Sequence, residues 1–322
     1  MDNLPKPFFC LAPMEDVTDT VFRRVINRAG RPDVFFTEFM SVSGFCHPQG
    51  KSQVARRLEF SLEEQPIIAQ IWGNEPEYFA KTAREITKLD LAGIDINMGC
   101  PDKVVVKSGG GSALIENPKL ATEIIKSVQN NTSLPVSVKT RLGVKLISEW
   151  RPWLTTLLQQ NLAALTVHLR TRKEMSKVSA RHELIPEIIT LRDEIAPNTK
   201  LIINGDVMTR EHGLELSKKY PGIDGLMIGR GAFTNPFCFE KEPRVHSRQE
   251  LFGLLRYHLD LFEQSEHGRK FEPLKRFLKI YINDFPGARE LRNRFMNTKN
   301  VAEIRAILEE NSSSVNHGKL EP

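Results

Sequence analysis

Residues 95–111, "DINMGCPDKVVVKSGGG", carry an apolar run into a turn that holds a cysteine, then into three consecutive glycines. A buried structural cysteine needs none of that punctuation, and a glycine-rich phosphate loop needs no cysteine. The run itself, "GIDINMG" from Gly93, has the length of a strand, and Gly99 and Pro101 are turn formers. The fold turns on whether other strands end in the same way.

They do. Similar runs occur at "FFCLAP" from Phe8, "VFFTEFM" from Val34, "PIIAQIWG" from Pro66 and "PVSVKTRLG" from Pro135. "ALTVHLRT" from Ala164, "KLIINGDV" from Lys200 and "GLMIGRGA" from Gly225 complete the set. Their spacing, roughly 25–40 residues, suits strand–helix units closing into a barrel. Between them, Phe79, Ala83 and Ile86 sit at helical spacing within residues 75–89, and Asn117-Pro118 makes a helix start. The expected fold class is α/β, a (β/α)8 TIM barrel over residues 1–240. An open doubly wound sheet competes, but no Rossmann GxGxxG follows the first strand. "SRQELFGLLRYHLDLFEQ" and "FEPLKRFLKIYINDF" are helical patterns with no strand between them, so a small all-helical domain is expected over 241–310. The polar end, 311–322, reads as a disordered tail.

Composition narrows the function. The 322 residues are 40% hydrophobic and 26% charged, enough for a substantial core and ordinary for a globular chain. A net charge of +5 permits a nucleic-acid partner without requiring one. No basic segment leads into a long apolar one near residue 1, and no run approaches the ~20 apolar residues of a membrane span. Cys10, Cys46, Cys100 and Cys238 are scattered, without a CxxC pair or Cys/His ligand spacing. A cytoplasmic monomer with no membrane partner, no disulfide framework and no metal is expected.

In such a barrel the reactive surface lies at the C-terminal ends of the strands. Read in order, those ends are Pro13-Met14-Glu15, Glu38, Gln70, Asn97 with Cys100, Lys139 with Arg141, His168 with Arg170, Asn204-Gly205-Asp206, and Gly229-Arg230-Gly231. Alternation along a strand puts Lys139 and Arg141 on one face, and such cations need an anion or the water of a mouth. "INGDV" and "IGRGA" follow the last two strands, where barrels bind phosphate through backbone N–H groups. Either alone also reads as a tight turn. Together with Lys139 and His168 they point to a phosphate, and a phosphate with a lysine facing a ring is what flavin mononucleotide (FMN) requires. Gln70 is placed to pair with the ring's amide edge. Cys100 then lies over that ring. Reducing a carbon–carbon double bond takes a hydride on one carbon and a proton on the other, and a thiol is protonated yet labile at neutral pH. A nucleophilic thiolate is the alternative, and a small buried hydrophobe is the ordinary fate of a lone cysteine.

In this order, "LAPMEDVTD", "AQIWG", "DINMGCP", "VKTRLG", "VHLRTR", "INGDV" and "IGRGA" resemble the tRNA-dihydrouridine synthases over residues 8–235, and more weakly through "FLKIYINDFPGARELRNRF". The resemblance implies an FMN enzyme that uses NADPH to reduce uridine in tRNA to 5,6-dihydrouridine. It implies that Ala12, Pro13 and Met14 hold the flavin by backbone contacts. By the same resemblance Gln70, Lys139 and His168 address its ring, and Asn204, Gly205, Asp206, Gly229 and Arg230 its ribityl phosphate. Asn97 and Arg141 would bind the uracil, hydride would pass from flavin N5 to C6, and Cys100 would protonate C5. Residues 269–294 hold eight Lys/Arg against three Asp/Glu. Lys275, Arg276, Lys279, Arg289, Arg292 and Arg294 are therefore expected on RNA phosphates, with a solvated helix face as the alternative. Arg170 is expected to contact RNA or to solubilise its loop. Rival functions are the same chemistry on ribosomal RNA, a small-molecule flavin barrel akin to dihydroorotate dehydrogenase, and an RNA-binding module without catalysis.

Overall fold

Alternation along the strands sorts the apolar residues outward. Ile67, Ala69 and Ile71, Ile94, Ile96 and Met98, Leu165 and Val167, and Leu201 and Ile203 are all buried in the core cluster that includes the helices. The computed structural model describes residues 4–265, 270–283 and 285–313. Its strands are β1 (Phe8–Leu11), β2 (Phe35–Phe36), β3 (Met40–Ser41), β4 (Ile67–Trp72) and β5 (Gly93–Met98). β6 (Val136–Arg141), β7 (Ala164–His168), β8 (Lys200–Asn204) and β9 (Gly225–Ile228) follow. They pair in the order β1-β9-β8-β7-β6-β5-β4-β2, with β3 also on β4, and a parallel bridge from Cys10 to Val34 closes the ring.

The second expected strand is broken in two. At Thr37 the side chain takes over from the ladder, and its hydroxyl accepts the Gln70 N–H at 3.0 Å. β2 and β3 therefore share one of the eight positions, and Glu38 is left at the break, buried.

Barrel helices are α1 (Thr20–Ala29), α2 (Val42–Cys46), α3 (Lys51–Ala55), α4 (Pro76–Ile86), α5 (Lys103–Lys107) and α6 (Pro118–Gln129). After them come α7 (Trp150–Leu158), α8 (Ile185–Ile195), α9 (Arg210–Lys219) and α10 (Arg230–Thr234). Asn117 caps α6 as its sequence suggested, accepting the Leu120 N–H with Pro118 in the first turn. α4 buries Phe79, Ala83 and Ile86 on one face. Helices α11 (Arg248–Gln264), α12 (Phe271–Tyr281), α13 (Ala288–Met296) and α14 (Val301–Ser313) form the C-terminal part. Its buried residues belong to the same apolar cluster as the barrel helices, and the joint is aromatic. Phe277 of α12 lies 5.0 Å from Phe22 of α1 and 5.6 Å from Phe233 of α10, ring centre to ring centre. The expected tail begins too early, because α14 continues through Ser313; residues 314–322 lie outside the described residues. Among the described residues no helix is long and apolar enough to cross a membrane.

Inside the barrel the character changes with height. At the N-terminal end Phe8, Cys10, Val34, Phe36, Ile68, Ala164, Ile202 and Met227 form a separate small apolar cluster. Above it the inward positions turn polar. Gly225 makes the floor possible, since a methyl group there would stand 2.5 Å from the Phe8 ring. Gly225→Ala is expected to lower stability by roughly 1–3 kcal/mol in urea unfolding. Gly253→Ala, in helix α11 with nothing within 4 Å of the added carbon, is the control that keeps or raises it.

Candidate active site

The polar upper half of the barrel is held together by amides. Register sets Gln70 of β4 beside Asp95 of β5, and Asp95 beside Ser137 of β6. Asp95 accepts from Gln70 Nε2 at 2.6 Å and from Ser137 Oγ at 2.6 Å. Gln70 Oε1 accepts from Asn97 Nδ2 at 2.9 Å. One inward step up, Lys139 is in register with Asn97, and its Nζ donates to Asn204 Oδ1 at 3.1 Å. Burial, followed by the neighbouring Arg141 charge, brings the Lys139 ammonium down to about 8. Burial likewise lifts the Asp95 carboxyl to about 6, against the bonds from Ser137 and Gln70 and the Lys139 charge.

The turn after β5 answers the question of the glycines. Asn97 Oδ1 accepts the N–H groups of Gly99 (3.1 Å) and Cys100 (2.9 Å), which fixes the turn from below. Arg141 Nε donates to the Gly99 carbonyl at 2.8 Å, and its NH1 donates to Met175 O at 2.9 Å. Behind the cysteine, Ser112 donates to the Cys100 carbonyl through N–H (3.0 Å) and Oγ (2.8 Å). Gly111 has φ of 56°, and a Cβ there would meet the Cys100 carbonyl oxygen at 2.8 Å. Gly110 leaves the same kind of room for Trp72 and Gly73, at 3.0 Å. The loop is thus pressed against the back of Cys100. Burial pushes the Cys100 thiol up, although an N–H from Asp102 pulls the other way, so the sulfur stays protonated at neutral pH.

Across the mouth, Gly205 (φ 116°) and Asp206 (φ 55°) make a left-handed turn after β8. The N–H groups of Gly205, Asp206, Gly229 and Arg230 have no hydrogen-bond partner among the described residues. Four backbone donors beside Lys139 and Arg230 have the chemistry of a phosphate cradle. The Asp206 carboxylate serves the wall of the mouth instead, accepting from Arg170, Arg230 (2.6 Å) and the Ala180 N–H (2.8 Å). Those bonds hold it below the usual carboxylate range despite burial. Arg170 is buried in this pair and donates to Val178 O at 2.6 Å, so it does not face RNA. Its NH1 also meets His168 Nε2 at 3.1 Å. A guanidinium only donates, so the His168 proton sits on Nδ1. Burial and the charges of Arg141, Lys139 and Arg170 hold that imidazole neutral, well below its ordinary range. Ala12 and Met14 end β1 on the same side, and the Met14 sulfur would lie 3.7 Å from a Cβ at Gly229. Pro13, between them, is buried.

Residues 10–316 match the dihydrouridine synthase family. The chain belongs to that family. It is 57% identical over 310 residues to the probable tRNA-dihydrouridine synthase 2 of Bacillus subtilis (strain 168), spanning 96% of this chain and 95% of that protein. It is also 57% identical over 310 residues to the probable tRNA-dihydrouridine synthase of Staphylococcus aureus (strain COL), spanning 96% and 94%. Among solved structures, morphinone reductase shares the fold with a TM-score of 0.51 at 12% identity, over 73% of this chain and 85% of its own.

As a dihydrouridine synthase the protein is a flavin-dependent oxidoreductase. Of the six cations expected on α12 and α13, Arg276, Lys279, Arg289 and Arg294 are exposed. Arg276 NH1 also donates to the Asp16 carbonyl at 3.0 Å, tying α12 to the loop after β1. Three more have partners within the protein, Arg294 through an ion pair at the surface. Lys275 pairs with Glu272 at 3.0 Å, Arg294 with Glu310, and Arg292 NH1 donates to Ile282 O at 2.7 Å. Between α12 and the mouth lies a cavity of about 450 Å3, lined by residues that include Glu38, Arg57, Arg276 and Phe277.

Sequence reading passed over one acid of the site, Asp95, and noted another, Glu38, at a strand end without giving it a role. Both stood in view on inward positions, and an acid at an inward position is itself the signal. Arg57 pairs with Glu15 and leaves Glu38 without an ion pair among the described residues. Burial, then the Glu15 charge, raises the Glu38 carboxyl from 4.5 to about 7. A carboxyl raised on folding favours the native state at low pH and burdens it as pH climbs through the folded value. Glu38→Gln is therefore expected to stabilise the protein by up to about 3 kcal/mol near pH 8, with the gain vanishing below the unfolded pKa. Urea midpoints across pH check it; a gain independent of pH would contradict it.

Proposed function

We propose that the enzyme reduces a uridine of tRNA to 5,6-dihydrouridine, with FMN as its flavin, NADPH as reductant and Cys100 as proton donor. The observation that carries this reading is the Cys100 turn. It holds a protonated thiol beside Asn97, Arg141 and Lys139, across the mouth from four backbone N–H groups that have no partner among the described residues. When bound and reduced by NADPH, FMN would supply the hydride that uracil C6 receives. Lys139, the His168 Nδ1–H and the second amide N–H of Gln70 would hold its ring. The N–H groups of Gly205, Asp206, Gly229 and Arg230 would hold its phosphate, and Ala12, Pro13 and Met14 would contact it through their backbone.

Asn97 spends its oxygen and one N–H inside the protein, which leaves the second N–H for a uracil carbonyl. Arg141 adds positive charge at the same edge, where negative charge grows on the uracil as hydride arrives. The Cys100 thiol then gives its proton to C5. Drawing the base out of its stack costs a few kcal/mol, which phosphate contacts from Arg276, Lys279 and Arg289 offset.

Cys100→Ala is expected to retain flavin and NADPH oxidation while dihydrouridine formation, read by mass spectrometry of digested tRNA, falls at least ~100-fold. Replacing Arg276, Lys279 and Arg289 together by Ala should reduce the slope of log K against log salt for tRNA by about 2 to 3 without changing FMN affinity.

A further inference from the structure

Asp95 has no part in the reaction just described, yet it lies wholly buried inside the barrel, one inward step below Asn97 and Lys139. An ionised carboxylate can only accept hydrogen bonds. Gln70 must therefore turn its NH2 toward Asp95 (2.6 Å) and its oxygen toward Asn97 Nδ2 (2.9 Å). That in turn leaves Asn97 Oδ1 to face the N–H groups of Gly99 and Cys100. The other end of the chain makes the same demand. A backbone N–H can only donate, so Asn97 must present its oxygen there, its NH2 must face Gln70, and Gln70 must turn its own NH2 to an acceptor. Carboxylate and backbone thus fix both amides in one orientation, and Ser137 Oγ, donating at 2.6 Å, steadies the carboxylate from the opposite strand.

We propose that Asp95 is a positioning residue, setting through Gln70 the amide orientation of Asn97, and with it the Cys100 turn and the one Asn97 N–H left for the uracil. The proposal rests on the reading that Asn97 and Cys100 act on that base. In Asp95→Asn the new side chain can present either an oxygen or an NH2 to Gln70, so neither amide is held from below.

The test measures dihydrouridine formation in tRNA for the wild type, Asp95→Asn, Asn97→Ala and the double variant. Alkylation of Cys100 by iodoacetamide is followed in parallel, peptide by peptide, on flavin-free protein. Asp95→Asn is expected to lower turnover at least tenfold and to speed Cys100 alkylation several-fold. In the Asn97→Ala background the same substitution should change little, because the relay is already cut. Equal losses in both backgrounds, or unchanged alkylation, would overturn the proposal. Should Asp95→Asn not fold, Gln70→Met severs the relay while keeping the carboxylate and must speed alkylation likewise; no change there would also overturn it. A wild type that forms no dihydrouridine would instead remove the functional reading, while the alkylation comparison still decides the role of Asp95.

Discussion

Two cations on the inward face of one strand set the terms for the rest of the barrel. Lys139 and Arg141 point into a space that buries Arg141 and half-buries Lys139, and like charges so placed repel unless something answers them. The answers come from every side. Asp95 lies below, the Asn204 oxygen meets the ammonium, and the carbonyls of Gly99, Thr171 and Met175 meet the guanidinium. Compensation is incomplete, since burial, with the Arg141 charge for Lys139 and the Arg170 charge for Arg141, still brings both groups below their ordinary values. A site with surplus positive charge, and with N–H groups that lack partners among the described residues, suits an anionic or electron-rich ligand.

The same surplus orders the periphery. Arg170 is drawn into the wall near a fourth cation, Arg230, and Asp206 pairs with both. His168, surrounded by four positive side chains, stays neutral and keeps a defined tautomer. Cys100 stays a thiol because it sits on a buried turn and not against a histidine. Acid–base character at this mouth follows from position more than from residue type.

Much of this was legible in the sequence. Alternating apolar runs gave the strands, and Asn117-Pro118 marked the start of a helix, because these signals are local and act within a turn or two. Cys100 stood out because its turn residues are contiguous with it. Arg170 was misplaced for the opposite reason: its partner Asp206 is 36 positions away, and only the register of β7 against β8 brings them together. The pairing of Gln70 with Asp95 is likewise a product of β4 lying against β5. The C-terminal cations read as one basic face, and four of the six, Lys275, Arg276, Arg292 and Arg294, have neighbours that a charge count does not locate. The break at Thr37 was hidden because a hydroxyl that replaces a ladder carbonyl looks, in sequence, like any strand threonine.

Phe277 gives the aromatic joint a meaning for anyone wishing to pare the enzyme down. Its ring packs against Phe22 and Phe233, which touch each other and both belong to the barrel half. A chain ended after α10 would uncover Phe22, now fully shielded, together with the apolar sides of α1 and α10. Water would meet a greasy scar beside the entrance to the site, and such a fragment would clump before it could be assayed. The catalytic half is therefore poor material for a minimal, portable catalyst; shortening has to begin beyond α14, at the far terminus.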